Sequence, residues 1–294
     1  MRIAIVTTSW PSSEGDPSGH FVRAEARELE RQGNDVVVIA PPTGGAFGWP
    51  GTAARLRERP ARVAEVLSWT AEARRQVRGM RVDRVVAHWA LPCAWPVGAS
   101  ATEARLDVVS HGGDVRLVVA LPGPVRRRIA RKIAERAACW RFVSETLLET
   151  LLGALDGDTR ARVERIAFVE APRIEMPDVT EAVAHKRSEL AGARIAVSVG
   201  RLVPSKKVER AIERVARSRD VDALVVVGDG PERERLERLA RTLGVDARFV
   251  GTVARDEALA WIGAADQVIH ASVAEGMSTV VREAEALGIR VVRG

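Results

Sequence analysis

Short apolar runs alternate with charged stretches along the whole chain. In the second half, β-branched runs typical of strands occupy residues 195–199, 223–227, 248–250, 267–271 and 290–292. The stretches between them have helical periodicity, as in Leu236, Leu239, Ala240 and Leu243 at i, i+3, i+4 and i+7. Strands separated by helices cannot pair as hairpins. The pattern therefore predicts a parallel sheet covered on both faces, a Rossmann-like α/β domain.

The first half repeats this order less regularly. Strands are predicted at residues 3–7, 35–40, 83–88, 106–111, 140–144 and 165–169, and helices at 24–31, 61–78 and 125–138. The periodicity stops in the proline-punctuated residues 171–178 (APRIEMPD). We therefore predict an N-terminal Rossmann-like domain at 1–172, a hinge or linker at 173–192 and a C-terminal Rossmann-like domain at 193–294.

Composition fits a globular chain of 294 residues, with 46% apolar and 29% charged residues. Apolar runs fall short of the roughly 18 residues that a membrane-spanning helix needs, and the N-terminus lacks a secretory pattern, so we expect a cytoplasmic protein. Cys93 and Cys139 have no metal-type spacing. The net charge of +6 is spread over both halves, which argues against nucleic acid as a partner.

Basic residues follow the first strand of the C-terminal domain, in residues 200–207 (GRLVPSKK). Ser205 is a candidate N-cap, which would place both lysines in the first helical turn, where the helix dipole disfavours cations. Local rules are often broken at functional sites, and Arg201, Lys206 and helix N–H groups together suit a diphosphate. A solvated basic loop in an arginine-rich chain explains the same residues equally well.

Glycines follow the next two strands. In residues 228–232 (GDGPE), Pro231 suits the first helical position, and Gly228 and Gly230 either form a tight turn or let a nucleotide approach the backbone. Phe249, close to Gly251, precedes a similar loop. The tight-turn interpretation alone accounts for these residues.

Two glutamates flank the last predicted helix, in residues 275–283 (EGMSTVVRE). A helix beginning near Met277 or Ser278 separates Glu275 from Glu283 by at most about 12 Å, a span that suits a nucleotide-sugar. One carboxylate would bind sugar hydroxyls and the other ribose, with the N–H groups of residues 277–280 facing the diphosphate. Alternatively, Glu275 only complements the helix dipole and Glu283 is solvated.

In the N-terminal domain, Gly19 follows the first strand and His111 ends a later one. Gly19 would let the backbone approach a substrate, and His111 would exchange a hydrogen bond with it, although a lone histidine is more often structural. Asp114 is expected to cap the next helix. No Ser-His-Asp order, HExxH or Walker A segment supports a hydrolase or P-loop enzyme.

Taken together, these motifs resemble the family-4 retaining glycosyltransferases of GT-B architecture. The resemblance rests on their order along the chain: residues 17–23 (PSGHFVR), 88–92 (HWALP), 111–114 (HGGD), 200–206 (GRLVPSK), 228–231 (GDGP) and the Glu275-x7-Glu283 pair. It implies two facing Rossmann-like domains, with the acceptor on the N-terminal side and the nucleotide-sugar donor on the C-terminal side.

The resemblance also implies the roles of individual residues. Arg201 and Lys206 would neutralise the donor diphosphate, Glu283 would bind ribose, and Glu275 and His111 would contact the donor sugar at the reacting centre. Further donor contacts are implied at Gly19, Gly228, Gly230, Phe249, Gly276, Met277, Ser278 and Thr279. The implied activity is metal-independent, needs no cofactor besides the nucleoside-diphosphate-sugar co-substrate, and transfers a sugar to a glycan, lipid or small-molecule acceptor with retention, as in polysaccharide biosynthesis.

Two departures and two alternatives accompany this expectation. Residues 170–174 (EAPRI) replace the usual Pro-Asn-Gly-Val-Asp-like segment, and the sequence stops at Gly294, where relatives continue. We therefore expect a shortened C-terminal domain with exposed apolar surface and self-association. The alternatives are a non-catalytic nucleotide-sugar-binding subunit and a GT-B-like sugar-nucleotide epimerase.

The basic amphipathic residues 125–138 suit either peripheral contact with the anionic inner membrane face or ordinary packing.

Overall fold

Two parallel sheets, one in each half of the sequence, organise the chain. The computed structural model describes residues 1–13, 16, 18–48, 51–272 and 278–294. These fall into two units, the first within residues 1–13 and 18–173 and the second comprising residue 16 and residues 174–294.

The first unit contains a six-stranded sheet. Its strands are β1 (Arg2–Val6), β2 (Asp35–Ile39), β3 (Arg84–His88), β4 (Arg105–Ser110), β5 (Ala137–Phe142) and β6 (Ala167–Val169). They pair in parallel in the order β2-β1-β3-β4-β5-β6. All their carboxyl ends therefore lie at one edge.

Helices cover both faces of this sheet. They are α1 (His20–Arg31), α2 (Thr52–Glu58), α3 (Val63–Gly79), α4 (Gly113–Ala120), α5 (Gly123–Arg136), α6 (Glu145–Gly153) and α7 (Gly157–Ile166). Alternation along β1 shows why two layers are needed, because Ile3 and Ile5 belong to one buried cluster and Ala4 and Val6 to another.

The second unit contains a five-stranded sheet. Its strands are β7 (Ile195–Val199), β8 (Ala223–Val227), β9 (Ala247–Gly251), β10 (Gln267–His270) and β11 (Arg290–Arg293), in the parallel order β11-β10-β7-β8-β9. The connecting helices are α8 (Thr180–Glu189), α9 (Val208–Arg217), α10 (Arg233–Thr242), α11 (Arg255–Ala264) and α12 (Thr279–Ala286). The predicted fold class, α/β with two parallel Rossmann-like sheets, is confirmed.

Several predicted boundaries are displaced where helix and strand adjoin directly. The strand predicted at residues 140–144 begins at Ala137, because α5 ends at Arg136 and the alanines that follow give no strand signal. The strand predicted at 165–169 begins at Ala167, because α7 continues to Ile166. Residues 173–192, expected as a linker, contain α8, whose Lys186 lies over the Trp261 ring of α11.

Helix α5 is docked on its apolar side. Ile129, Ala130 and Ile133 are buried, whereas Val125, predicted on the same side, is exposed. Many of its basic side chains bond to protein acceptors, namely Arg126, Arg127, Arg131, Lys132 and Arg136. These contacts are those of an ordinary packed helix.

We expected exposed apolar surface on the C-terminal domain, but most of the large exposed hydrophobic residues in the described part of the chain lie in the first unit. In the described part of the second unit, Leu243 is the one large hydrophobic residue recorded as exposed. The others belong to the first unit: Met1, Val63, Leu67, Leu117, Val125 and Phe168. The sheet of the second unit is covered because residues from α9 and α10 pack on one face and from α11 on the other.

A helix that crosses a bilayer must be both long and apolar. None of the helices in the described residues meets both requirements.

Candidate active site

Backbone hydrogen bonds join the loops at the carboxyl edge of the second-unit sheet. The Gly200 N–H donates to the Val227 carbonyl at 2.9 Å, and the Gly228 N–H donates to the Gly251 carbonyl at 2.8 Å. Leu202 exchanges two further bonds with the next loop, donating to Asp229 and accepting from Glu232. The ends of β7, β8 and β9 therefore form one continuous surface.

This surface has room only for glycine at two positions. Gly228 has φ +131°, and a Cβ atom there would overlap the Gly200 carbonyl oxygen. A Cβ atom at Gly230 would overlap the Leu202 carbonyl oxygen. The Gly230 N–H already donates to the Asp229 carboxylate at 2.7 Å. These glycines therefore close the protein's own loops, so ligand charge must be met by other groups.

The basic loop after β7 has a different local structure from the one predicted. Residues Pro204–Lys206 form a single 3-10 turn, Lys207 adopts a left-handed conformation with φ +51°, and α9 begins at Val208. Ser205 is therefore not an N-cap, and the lysines precede the helix. The first turn of α9 contains Glu209, which pairs with Lys207 at 3.7 Å, so the dipole preference is obeyed.

Lys206 lies across the carboxyl edge of the sheet. Its Cε would be 3.6 Å from a Cβ atom on Gly200, so its side chain runs over that glycine. Burial, followed by the charges of Lys206 and Arg293, lowers the pKa of His270 at the end of β10. The next residue but one, Ser272, donates to the Ser205 carbonyl at 3.4 Å. Lys206 therefore places positive charge between the ends of β7 and β10, in the loop that also carries Arg201.

The predicted loop after β8 begins its helix later than expected. Helix α10 starts at Arg233, so Pro231 is not its first residue. The Arg233 guanidinium donates to the Phe249 carbonyl at 3.1 Å and to the Asp229 carboxylate at 3.2 Å. Phe249 lies within β9, and its carbonyl is already engaged by the protein.

Glu283 is buried on α12 rather than solvated. Its side chain is 8% exposed, and its Oε1 accepts a hydrogen bond from Arg255 Nη2 at 2.9 Å. The same Nη2 donates to the Glu175 carbonyl at 2.6 Å. Burial raises the pKa of Glu283, and the Arg255 charge opposes that rise. The pair therefore keeps a carboxylate inside the second unit.

The remaining second-unit residues follow β10. Helix α12 begins at Thr279 with Ser278 before it, one or two residues later than predicted. Glu275, Gly276 and Met277 lie outside the described residues, as does Pro17, the first residue of the 17–23 motif.

In the first unit, Gly19 lies at the carboxyl edge, immediately before α1. Its φ is +68°, and a Cβ atom there would overlap the Ser9 carbonyl oxygen. The Gly19 carbonyl accepts from the N–H groups of Val22 and Arg23. Only glycine fits this close approach of two loop segments.

His111 lies at the end of β4 against a second histidine. Its Nε2 is 2.9 Å from Nδ1 of His88, which is fully buried at the end of β3. Burial lowers the pKa of His88 to about 3, with Arg141 contributing in the same direction. Burial also lowers the pKa of His111 well below its ordinary value. Both imidazoles are therefore neutral near pH 7.

Asp114 has a different role from the predicted helix cap. It lies inside α4, whose preceding residue is Gly112. Its carboxylate accepts from the N–H groups of Ala90 at 2.8 Å, His111 at 3.2 Å and Gly112 at 3.0 Å. The buried aspartate thus fixes the backbone on either side of the histidine pair.

Sequence reasoning gave no role to Arg255, Glu25, Arg141 or His88. Arg255 is 28 residues from Glu283, and Arg141 is 116 residues from Glu25, with which it forms an ion pair. No local spacing signals such pairs. His88 could have been noticed from the sequence, because it ends the apolar run of β3, and a polar residue in such a run is unusual.

The basic loop and the glycine-containing loops of the second unit lie at the carboxyl edge of a parallel, doubly wound sheet, which is where ligands of such sheets bind. Residues 181–293 match the family model described as glycosyl transferases group 1. The chain is 27% identical to a GDP-mannose-dependent α-(1-6)-phosphatidylinositol monomannoside mannosyltransferase of Mycobacterium tuberculosis, over 100% of this chain and 80% of that protein. It is 25% identical to the putative teichuronic acid biosynthesis glycosyltransferase TuaC of Bacillus subtilis, over 99% of this chain and 80% of that protein.

The fold is also that of a solved structure. Anabaena HepE in complex with UDP-glucose superposes with a TM-score of 0.69 at 20% identity, covering 100% of this chain and 80% of that one. The second unit is thus similar to the group 1 glycosyl transferases, and the fold is GT-B.

Replacing Gly228 tests the close approach of the loops. Gly228→Ala should lower the free energy of unfolding by about 2–3 kcal/mol, because the new Cβ overlaps the backbone at a positive φ. Gly79→Ala is the matched control, since Gly79 has open space around its Cβ position and no left-handed φ. Urea denaturation checks both, and equal effects of the two substitutions would contradict the packing described.

Removing Arg255 tests the buried ion pair. Arg255→Leu should cost about 3–5 kcal/mol because it removes the Arg255 partner of the buried Glu283 carboxylate. The double substitution Arg255→Leu with Glu283→Leu should cost clearly less than the sum of the two single changes. The exposed pair of Arg238 and Glu234 is the control, where Arg238→Leu should cost under about 1 kcal/mol. Additive losses in urea denaturation would contradict a coupled pair.

The histidine pair predicts a pH dependence of stability. The folded pKa of His88 lies below its ordinary 6.5, so the unfolded chain binds more protons as the pH falls below 6.5. From pH 7 to pH 5 this group should lower the free energy of unfolding by about 2 kcal/mol. His88→Asn should remove that part of the slope, whereas His185→Asn on α8 should leave it. An unchanged slope in His88→Asn would contradict the prediction.

Proposed function

We propose that this chain transfers a sugar from a nucleoside-diphosphate-sugar to a glycan, lipid or small-molecule acceptor, with retention of configuration and without a metal ion. The observation that carries the proposal is the position of Lys206 across the carboxyl edge of β7, in the unit that matches the group 1 family model. The mycobacterial relative is named for GDP-mannose and HepE is solved with UDP-glucose, which supports a nucleoside-diphosphate-sugar as donor.

The proposed chemistry uses fixed charges. Arg201 and Lys206 stabilise the departing diphosphate, and the Glu283 carboxylate accepts hydrogen bonds from ribose hydroxyls. Glu275 is assigned to the donor sugar by the motif resemblance alone. In the described part of the chain no three His, Cys, Asp or Glu side chains form a metal-binding group.

Retention is proposed to occur by attack on the face that the diphosphate leaves. The bond from the sugar anomeric carbon to the phosphate oxygen breaks, and its electron pair leaves with the nucleoside diphosphate. The acceptor oxygen forms the new bond to the same carbon, and its proton passes to the leaving phosphate oxygen. No protein nucleophile takes part.

Neighbouring lysines provide the test. Lys206→Gln should weaken binding of GDP or UDP by roughly ten- to a hundredfold, because hydrogen bonds to a charged group are lost, and should leave binding of the free nucleoside unchanged. Lys207→Gln is the matched control, because Lys207 pairs with Glu209 instead. Isothermal titration with and without EDTA checks the binding, and release of nucleoside diphosphate from GDP-mannose and UDP-glucose checks the turnover.

Each outcome separates the candidate functions. Reversible loss of donor binding in EDTA would overturn the metal-free proposal. Binding without turnover by any donor and acceptor would favour a non-catalytic subunit, and conversion of the donor sugar without an acceptor would favour an epimerase. Equal affinity losses in the two lysine variants would contradict the assignment of Lys206.

Peripheral contact with an anionic membrane has weaker support than the donor site. The apolar residues Ile129 and Ile133 of α5 are buried in the first unit, so they do not offer a face for insertion. Only the exposed basic residues of α5 could contact an anionic membrane, and that contact would be electrostatic.

A further inference from the structure

The two histidines lie edge to edge. Their ring planes differ by only 12°, and their centroids are 5.2 Å apart. With Nδ1 of His88 2.9 Å from Nε2 of His111, the two nitrogens lie between the centroids, so both rings share nearly one plane. This is the geometry of an N–H···N hydrogen bond, in which one nitrogen donates and the other accepts.

The surroundings of His88 decide which nitrogen donates. Because His88 is neutral, it carries a single proton. Its Nε2 is buried without a hydrogen-bond partner in the described part of the chain, and Glu25 Oε2 is 3.9 Å away. A carboxylate attracts an N–H and repels a nitrogen lone pair, so the proton of His88 belongs on Nε2. Nδ1 then has only a lone pair, and the bond must be donated by Nε2–H of His111.

An ion pair holds the deciding charge in place. Glu25 on α1 pairs with Arg141 on β5, and both side chains are nearly buried, at 13% and 12% exposed. Arg141 also pairs with Glu170 at 2.8 Å. Because the Arg141 guanidinium holds the Glu25 carboxylate in position, the electrostatic preference of His88 is built into the fold.

The other ring nitrogen of His111 remains available. Phe21 and Trp89 pack on the ring, with centroid distances of 4.6 Å and 5.1 Å, and Asp114 fixes the backbone. Nδ1 of His111 has no hydrogen-bond partner among the described residues. It is also absent from the set of unpartnered polar atoms that are buried in the described part of the chain, so it is not fully buried. It is therefore the atom that a ligand can reach.

We propose that His88 is a positioning residue that fixes His111 as the Nε2–H tautomer, so that the unprotonated Nδ1 of His111 accepts a hydrogen bond from a substrate hydroxyl. The identity of that hydroxyl as one on the donor sugar rests on the proposed function. A lone-pair acceptor at this point favours a sugar with a hydroxyl there. It disfavours a carboxylate or a methyl group, which cannot donate a hydrogen bond.

Nuclear magnetic resonance of the ligand-free protein tests the tautomer directly. Long-range proton–nitrogen spectra of uniformly labelled protein should show neutral Nε2–H rings for both His88 and His111 from pH 6 to pH 8. His88→Asn, His111→Asn and the exposed control His185→Asn assign the signals. An Nδ1–H ring at His111, or protonation of either ring near pH 6.5, would overturn the proposal whether or not the protein is active.

Substitutions test the positioning role. In His88→Leu the acceptor is lost, so His111 should become a mixture of tautomers and kcat/KM should fall by roughly tenfold or more. In His88→Asn the side-chain oxygen can replace Nδ1 as acceptor, so the Nε2–H signal and most of the activity should return. Equal spectra and equal activity in the two variants would show a purely structural role.

The two readouts separate this inference from the proposed function. If both rings are Nε2–H but no nucleoside-diphosphate-sugar is consumed, the proposed function fails and the tautomer assignment stands. If transfer occurs while His111 is in the other tautomer, only the positioning role fails. A donor lacking one hydroxyl that reacts equally well in the native protein and in His88→Leu identifies the hydroxyl that His111 contacts.

Discussion

The close approach of the Gly228 backbone to the Gly200 carbonyl is the constraint on which the second-unit site depends. Parallel strands deliver their loops to a single edge, and at that edge the loops after β7, β8 and β9 are close enough to exchange backbone hydrogen bonds. A side chain at this point would separate them. The loop that carries Arg201 and Lys206 is therefore tied to its neighbour by main-chain hydrogen bonds, through Gly200 and Leu202.

Each unit also orients one chemically important side chain through a buried charge pair. Arg255 holds Glu283 in the second unit, and in the first unit Arg141 holds Glu25, which faces the histidine pair. In both cases the arginine comes from a distant element and has a second acceptor, the Glu175 carbonyl or the Glu170 carboxylate. Low-dielectric surroundings make such paired charges strongly directional, and they make the loss of one partner costly.

The sequence predicted the architecture because hydrophobic periodicity determines it directly. Strands β7 and β8 have the predicted bounds, since each is a β-branched run bounded by polar residues. Helix starts were less predictable, although Ser205 and Pro231 are good starting residues by local rules. A 3-10 turn and the left-handed Lys207 place the start of α9 at Val208. The Glu232 N–H bonds to the Leu202 carbonyl of the neighbouring loop, and α10 starts at Arg233. The partner of Glu283 could not be predicted, because no local spacing links it to Arg255, 28 residues away in sequence. The donor-site roles of Arg201 and Lys206 remain predictions.

The main-chain hydrogen bonds that hold the loops after β7 and β8 affect the entropy of ligand binding. A loop that becomes ordered only when its ligand arrives loses conformational freedom at that moment, and the loss weakens affinity. Here the N–H groups of Gly200, Leu202 and Gly228 are bonded to the protein's own carbonyls, those of Val227, Asp229 and Gly251. That part of the ordering cost is met during folding. Binding at the carboxyl edge of β7 and β8 should therefore have a smaller unfavourable entropy than binding to a loop of similar length without such bonds.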